Sequence, residues 1–300
     1  MITFGIMQLA PGNPLTMLIS PDIPPEEVAR AEERLGLNDP IYVQYFRWLT
    51  EMFRGNFGYT MAGGRSISQE IVNRFPATFT LSVTSMLITF SLAIPLGVIS
   101  ALKRGSFIDR LMTTFTFTGV SMPGFFLGLG LIFIFAVNLG WFPTSGMGTI
   151  GRGLSGWAAI SDRMRYLVLP AFTLAIPSLA SVVRFTRSSM LDVLSEDYIR
   201  TARSKGLRER VIIYKHGLRN ALIPVITILG GYLPFLFSGA YIVEQVFSWP
   251  GMGRLGIQAI YYREYGVIMA LNVVTSALVL TGNLMADIMY AVVDPRIRYS

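Results

Sequence analysis

Long apolar runs divide this chain into segments that can cross a membrane as helices. Five such runs can be drawn, at about residues 77–102, 111–142, 166–183, 221–247 and 266–293. About 20 apolar residues in a helix cross a hydrocarbon layer of roughly 30 Å. We therefore predict an all-α integral membrane protein, folded as a polytopic helical bundle.

The chain starts with a sixth, shorter apolar segment at residues 1–10. It reaches only about half of the length of a span before Pro11 and Pro14, which stop a helix. It lacks the basic start and the small-residue cleavage site of a signal peptide. The pattern predicts a partial, truncated first transmembrane helix and hence six spans in all.

A charged insert with its own helical pattern lies between the third and fourth runs, at residues 184–220. It contains nine Lys/Arg and four Asp/Glu. Apolar side chains recur in it at helical spacing, in two stripes: Leu191, Leu194, Tyr198 and Ala202, then Leu207, Val211, Tyr214, Leu218 and Leu222. Gly206 lies between the stripes, where a chain can leave one helix and turn before the next. We predict two short amphipathic helices that meet at Gly206 and are anchored by these stripes.

The composition also indicates a membrane protein and limits its partners. The 300 residues are 52% hydrophobic and 14% charged, whereas soluble proteins carry about a quarter charged residues. The net charge of +7 comes without a basic patch interleaved with aromatic residues, so we expect membrane lipid and no nucleic acid as partners. Cysteine is absent and the single histidine is His216, so we predict no metal site.

The distribution of basic residues predicts the orientation. The loop 103–110, the insert 184–219 and the tail after Val293 hold three, nine and two Lys/Arg, 14 in all. The short loops 152–165 and 254–263 together hold five. Because short cytoplasmic loops are enriched in Lys/Arg, we expect the insert and the C-terminus to be cytoplasmic.

Three regions follow from this orientation. After the partial first helix, residues 11–76 are predicted to form an external loop subdomain. Residues 77–300 are predicted to form the transmembrane domain, which the cytoplasmic loop 184–220 interrupts.

Polar residues inside the predicted spans are candidates for function, because they are costly in a membrane. Asn272, Ser276, Asn283 and Asp287 lie within an arc of about 60° on one helix. This face could line a central pathway or the seam with a partner, or it could form hydrogen bonds between packed spans. Glu244, near the outer end of its span, is a further candidate for contact with a solute or a receptor; an interfacial position is the alternative.

Several motifs resemble one family. Residues 200–206, Arg-Thr-Ala-x-x-x-Gly, and the following Lys215-His216-x-Leu218 are similar to the cytoplasmic EAA loop of bacterial and archaeal ABC importer permeases. Three further motifs resemble the B-type permease of the dipeptide/oligopeptide/nickel family: residues 9–14 (LAPGNP), 244–253 (EQVFSWPGMG) and 294–299 (DPRIRY). The general EAA pattern has Glu at Arg200, an aliphatic residue at His216 and Pro at Arg219. These three departures resemble the peptide branch.

This resemblance implies a type I ABC importer permease fold in a prokaryotic inner or plasma membrane, and transport of di- or oligopeptides. Nickel chelate, glutathione or a sugar ligand is the alternative cargo. The implied partners are a homologous C-type permease, two ATPase subunits that bind ATP and Mg²⁺, and an extracytoplasmic solute-binding protein. The implied ATPase-coupling residues are Tyr198, Arg200, Thr201, Ala202, Arg203, Lys205, Gly206, Leu207 and Arg208. The structural alternative for this loop is an interfacial helix bound to anionic lipid.

Other classes of membrane protein fit the residues less well. The chain has no Gly-x-x-x-x-Gly-Lys-Ser/Thr loop, so we expect no ATP hydrolysis by this chain and no catalytic residue. An ion-driven secondary transporter, the weaker alternative, needs an intramembrane relay of ionisable groups, and only Asp287 lies well inside a predicted span. An intramembrane aspartyl enzyme needs two such acids.

Overall fold

The structure, a computed structural model, describes residue 5 and residues 39–61, 63–232, 235–238 and 240–293. In chain order the helices are α1 (Ile41–Phe53), α2 (Ile67–Leu102), α3 (Phe107–Ser121), α4 (Gly124–Leu131), α5 (Gly156–Leu194), α6 (Asp197–Ser204), α7 (Glu209–Val211), α8 (Arg219–Ala221), α9 (Ile223–Tyr232), α10 (Phe235–Ser238), α11 (Tyr241–Val246), α12 (Met252–Tyr261) and α13 (Tyr265–Val293). Two π-helices, Ile132–Asn138 and Ile212–Leu218, follow α4 and α7. The predicted first helix (apart from residue 5) and the motifs at 9–14 and 294–299 lie outside the described residues.

Three of the described helices, α2, α5 and α13, are long and apolar enough to cross a membrane. With 39 residues, α5 is about 58 Å long and therefore projects well beyond a hydrocarbon layer of roughly 30 Å. A fourth crossing is available if α3 and the helix 124–138 count as one broken span. The described part is thus an all-α, polytopic bundle, as predicted.

The helices differ from the predicted spans in where they begin and break. The helix drawn as 77–102 begins at Ile67, so it takes ten residues from the predicted external loop. The run 111–142 is two helices that meet at an angle of 111°. Pro123 causes this break, because proline lacks an N–H and pushes the preceding Met122 into an extended conformation (φ −87°, ψ 123°).

The run 221–247 is not one continuous helix, because Leu222 between α8 and α9 is a turn and Ala240, directly before α11, is not helical (φ −103°, ψ 64°). The span predicted at 166–183 is the central part of the much longer α5, and the last run, 266–293, agrees closely with α13. The length of the apolar runs therefore predicts which parts of the chain form the bundle, but it does not predict which runs are continuous helices and which are broken.

The core of the bundle is the seam between α2 and α5. Three buried clusters follow one another along it, and each combines residues of both helices: Ala77 and Leu81 with Leu167 and Ala171; Ala93 with Leu179, Val182 and Val183; and Val98 and Ala101 with Met190. Near the third cluster Gly97 lies so close to α5 that an added Cβ would come within 2.6 Å of the Thr186 Cβ and 2.9 Å of the Val183 carbonyl oxygen. A small residue is therefore required where the two helices approach each other.

We expect Gly97→Ala to destabilise the chain by about 1–3 kcal/mol, because the added methyl group has to push α2 away from α5. The thermal unfolding midpoint of the purified chain in detergent is the measurement. Gly130→Ala is the matched control, because Gly130 is also helical and an added Cβ there meets nothing within 4 Å. An equal effect of the two substitutions would contradict the tight seam.

Candidate functional site

The charged loop after α5 turns at the predicted glycine. Gly206 adopts a left-handed φ of +74°. Its N–H donates to the carbonyl of Arg203 (2.9 Å), and the N–H of Leu207 donates to the carbonyl of Ala202 (3.4 Å). This pair of bonds is a Schellman motif, which satisfies the last carbonyls of α6. Because an added Cβ would meet nothing within 4 Å, the backbone conformation rather than crowding favours glycine here.

The residues assigned to ATPase coupling surround this turn, and nearly all are exposed. The exposed ones are Tyr198, Arg200, Thr201, Arg203, Lys205, Gly206, Leu207 and Arg208. Ala202 is buried, with an exposed fraction of 7%. The loop therefore presents one continuous surface on which a partner can dock.

The predicted apolar stripes anchor the loop in part: Leu191, Leu194, Ala202, Leu218 and Leu222 pack in or against buried clusters. Ile199 and Ala202 of α6 pack against Ile212, and these three form the buried cluster beneath the turn. Four residues of the predicted stripes are exposed instead: Tyr198, Leu207, Val211 and Tyr214. They add an apolar component to the outer surface.

A π-helix explains the wrong second stripe. Residues Ile212–Leu218 form i→i+5 hydrogen bonds, and the helix is therefore wound more widely, so the positions that point inward recur at a longer spacing than 3.6 residues. Ile212 and Gly217, five residues apart, are both buried, and Ala221 follows four residues later. A stripe counted with the α-helical period cannot identify this set.

The exposed surface of the loop is basic. Arg203 reaches across the glycine turn to Glu209 (2.9 Å), and Arg200 lies 3.3 Å from Asp197. Such exposed pairs contribute at most about 1 kcal/mol, so they leave the arginines available to a partner. Among the described residues, Lys205 and Arg208 form no ion pair. Arginine side chains in such a surface suit charge-assisted, bidentate hydrogen bonds to carboxylates.

An ion pair with a buried carboxylate lies near the end of α5, and it was not predicted from the sequence. Arg187 of α5 donates from Nε to Oδ1 of Asp109 (2.7 Å) and from Nη2 to Oδ2 (2.9 Å). The Asp109 carboxylate also accepts from the Ser100 hydroxyl (2.5 Å) and the Gly105 N–H (2.9 Å). Arg187 contributes to the predicted orientation only as one of the counted basic residues, and Asp109 has no predicted role. The available signal was an acidic residue in the first turn after the N-cap Ser106, within a basic loop.

The polar face of α13 lies on the surface of the chain. All four predicted residues, Asn272, Ser276, Asn283 and Asp287, are exposed. Exposed polar side chains such as Asn272, Ser276 and Asn283 are unfavourable against lipid tails, so water or protein next to this face would be favourable.

Glu244 is placed differently from the prediction. Its side chain is fully buried, with an exposed fraction of 0%. Oε1 accepts from the Thr78 hydroxyl (2.7 Å), and Oε2 accepts from the N–H of Arg254 (2.9 Å). The carboxylate thus caps the N-terminus of α12 and ties it to α2, and in this structure it cannot contact a solute or a receptor.

The motif at 244–253 is built around this carboxylate. The Trp249 indole donates to the Ala77 carbonyl (2.9 Å), and the Met252 N–H donates to the Thr78 hydroxyl (2.8 Å). A Cβ on Gly251 would collide with the Glu244 carboxylate, which explains the glycine. The motif therefore joins α2, α11 and α12 at this end of the fold.

Two solved structures share the arrangement of the helices. The MetNI methionine ABC transporter, in an inward-facing crystal form, matches with a TM-score of 0.58 and 19% identity over 75% of this chain and 96% of that chain. An amino acid ABC transporter crystallised with histidines matches with a TM-score of 0.52 and 16% identity, over 74% and 94%. With the long apolar helices and the glycine-turned loop, this similarity defines the class: a membrane protein with the type I ABC importer permease fold.

The chain belongs to the family of binding-protein-dependent transport system inner membrane components. Residues 93–299 match that family, and residues 1–82 match its N-terminal region. The Oligopeptide transport system permease protein AppB of Bacillus subtilis (strain 168) is 47% identical over 99% of this chain and 93% of its own length. The Glutathione transport system permease protein GsiC of Salmonella paratyphi A is 40% identical over the same shares. The resemblance based on the motifs is therefore confirmed.

We expect Glu244→Ala to destabilise the chain by about 1–3 kcal/mol, because it leaves the Thr78 hydroxyl and the Arg254 N–H without their acceptor. Glu244→Gln, which keeps an acceptor oxygen, should have a smaller effect, and Gln245→Ala, on the exposed neighbour, should have almost none. Thermal unfolding in detergent measures all three. If Glu244→Ala were as stable as the original chain but transport were lost, the result would contradict a purely structural role of Glu244 and favour a role in the pathway.

Proposed function

We propose that this chain is the permease subunit of an ATP-driven importer of small peptides. The observation that carries the proposal is the exposed, basic pair of helices that turns at Gly206 and follows directly on the end of α5. A helix about 58 Å long that is packed along the core of the bundle can pass a displacement at its end to the spans. A loop that formed only an interfacial lipid anchor would not need this direct attachment.

In this proposal the chain has no catalytic residue. Two ATPase subunits bind ATP and Mg²⁺, and the residues 198–208 dock into a groove on one of them. The arginines of the loop would make charge-assisted hydrogen bonds with that subunit, and Tyr198 and Leu207, both exposed, would fill apolar positions of the groove. The loop and the C-terminus would then face the cytoplasm.

The remaining partners follow from the family. A binding-protein-dependent permease receives its solute from an external receptor, and a second, homologous permease would complete the pathway. The polar face of α13 supports this view, because it is exposed in the single chain and needs water or protein beside it. We propose that Asn272, Ser276, Asn283 and Asp287 line the pathway or its seam with the second permease.

The cargo is proposed from the relatives. The higher identity to an oligopeptide permease, 47% against 40% for a glutathione permease, favours peptides. Glutathione is itself a small peptide with additional charge, so the two cargoes share a chemical class. Comparing uptake of labelled tri- to pentapeptides with uptake of glutathione by the reconstituted importer separates them.

Gly206→Leu tests the docking function. The left-handed φ of +74° disfavours any side chain, and a leucine there would also stand on the docking surface. We expect at least a roughly tenfold loss of both ATPase co-purification and peptide uptake, since a hot-spot residue contributes about 2 kcal/mol or more. Quantitative co-purification from native membranes and uptake into proteoliposomes are the measurements.

Gly151→Leu is the matched control for this substitution. Gly151 has a similar left-handed φ of +84° and equally open surroundings. It lies between α4 and α5 and not in residues 198–208, which we call the docking loop. It should keep the ATPases attached. Normal attachment and uptake with Gly206→Leu would refute the docking role of the loop.

The double substitution Asn283→Ala and Asp287→Ala tests the polar face. We expect peptide uptake to fall by about tenfold or more while the chain still inserts, because the face loses its hydrogen-bonding groups toward water or the second permease. Leu280→Ala and Leu284→Ala, on exposed apolar positions of the same helix, form the control pair. Unchanged uptake with normal assembly would remove these residues from the pathway.

A further inference from the structure

The pair Asp109–Arg187, in which the carboxylate is buried and the guanidinium is partly exposed, joins three helices at one point. Asp109 belongs to α3, Arg187 to α5 and the hydroxyl donor Ser100 to α2. The exposed fraction of the Asp109 side chain is 7%, against 30% for Arg187. The four hydrogen bonds on this carboxylate come from different directions, and two of them form the planar, bidentate contact that fixes an arginine in orientation.

Arg187, the basic member of this pair, lies close in sequence to the start of the docking loop. Arg187 lies seven residues before the end of α5, and α6 begins at Asp197, three residues after that end. Between them lies the cluster of Val98, Ala101, Met190 and Ala221, against which Ile213 and Leu218 of the π-helix also pack. This cluster includes Ala101, the neighbour of Ser100, and Met190, one helical turn after Arg187, while Ile213 is the neighbour of Ile212 in the cluster beneath the glycine turn.

Stability alone is a weak reason for such a pair. Burying a charged carboxylate such as Asp109 costs free energy even with a partner, and well-packed apolar residues of similar volume are often as stable as a buried ion pair or more so. An ion pair with fixed geometry does restrict the relative rotation of the helices that carry it, which an apolar contact does less well. Such an ion pair is useful where the relative orientation of three helix ends has to be kept while a partner displaces one of them.

We propose that Asp109 and Arg187 are positioning residues, a clamp that makes the ends of α2, α3 and α5 one rigid body with the docking loop. A displacement of the loop by an ATPase then moves three helices together instead of bending the end of α5. This inference rests on the proposed function, because it needs an ATPase at the loop. The clamp residues touch neither solute nor nucleotide.

The test uses the complete reconstituted importer, with its receptor and ATPase subunits, in proteoliposomes. Asp109→Asn removes the charge, and Arg187→Lys keeps the charge but loses the bidentate contact. We expect the ratio of solute imported to ATP hydrolysed to fall about tenfold with Asp109→Asn and by a smaller factor with Arg187→Lys, with ATPase attachment retained. If the Asp109→Asn chain does not assemble with its partner subunits, the ratio measured with Arg187→Lys tests the proposal instead.

Two substitutions of exposed residues of α5, the helix that carries Arg187, are the controls. Asp192→Asn and Arg184→Lys repeat the chemical changes outside the clamp, and both should keep the ratio within about twofold of the original chain. A second readout does not depend on transport. The chain has no cysteine, so spin labels at Leu102→Cys and Ser188→Cys report the distance between the ends of α2 and α5. This distance distribution should broaden when the clamp is broken.

An unchanged ratio and an unchanged distance distribution in Asp109→Asn and Arg187→Lys would overturn the clamp. If Gly206→Leu still detached the ATPases in that case, the proposed function would stand without it. If Gly206→Leu left the ATPases attached, the docking role itself would fail, whatever the clamp substitutions did.

Discussion

The close seam between α2 and α5 is the constraint on which the rest of the structure depends. Gly97 allows the two backbones to approach, and three buried clusters follow along the pair. In a membrane the lipid tails are as apolar as leucine, so helices associate through close packing and hydrogen bonds rather than through a hydrophobic driving force. The broken helices are less stable on their own and need a rigid partner to pack against. The pair of α2 and α5 is this partner.

Each end of the seam is closed by a buried carboxylate with several hydrogen bonds. At one end Glu244 binds Thr78 of α2 and the N-terminus of α12. At the other end Asp109 binds Ser100 of α2 and Arg187 of α5. Each carboxylate accepts hydrogen bonds from the elements that need to be held, so its burial is compensated locally. The chain thus uses apolar packing along the seam and directional polar contacts at the two ends, where loops and short helices attach.

The sequence predicted the membrane class, the family and the position of the glycine turn, because these depend on local features such as apolar length, motif spacing and backbone freedom at Gly206. It did not predict the features that depend on contacts between distant residues. Asp109 and Arg187 are 78 residues apart, and Thr78 and Glu244 are 166 apart, so no local pattern links them. The π-helix at 212–218 also shifted the buried set to Ile212 and Gly217, outside the α-helical period. Glu244 was assigned to the pathway because an acid in an apolar run is unusual, although a buried cap fits the same sequence.

The exposed polar residues of α13 and the non-helical backbone beside α11 limit what can surround this chain in a membrane. Ala240, directly before α11, is not helical, and irregular backbone at membrane depth is tolerated only where protein or a water-filled cavity covers it. Helix α13 packs against α9 and α10 with one side, yet its polar residues lie on the exposed surface. Lipid tails offer no partners to non-helical backbone or to the exposed amides of Asn272 and Asn283. Both features therefore support the proposal of a second permease that encloses an aqueous path against α13.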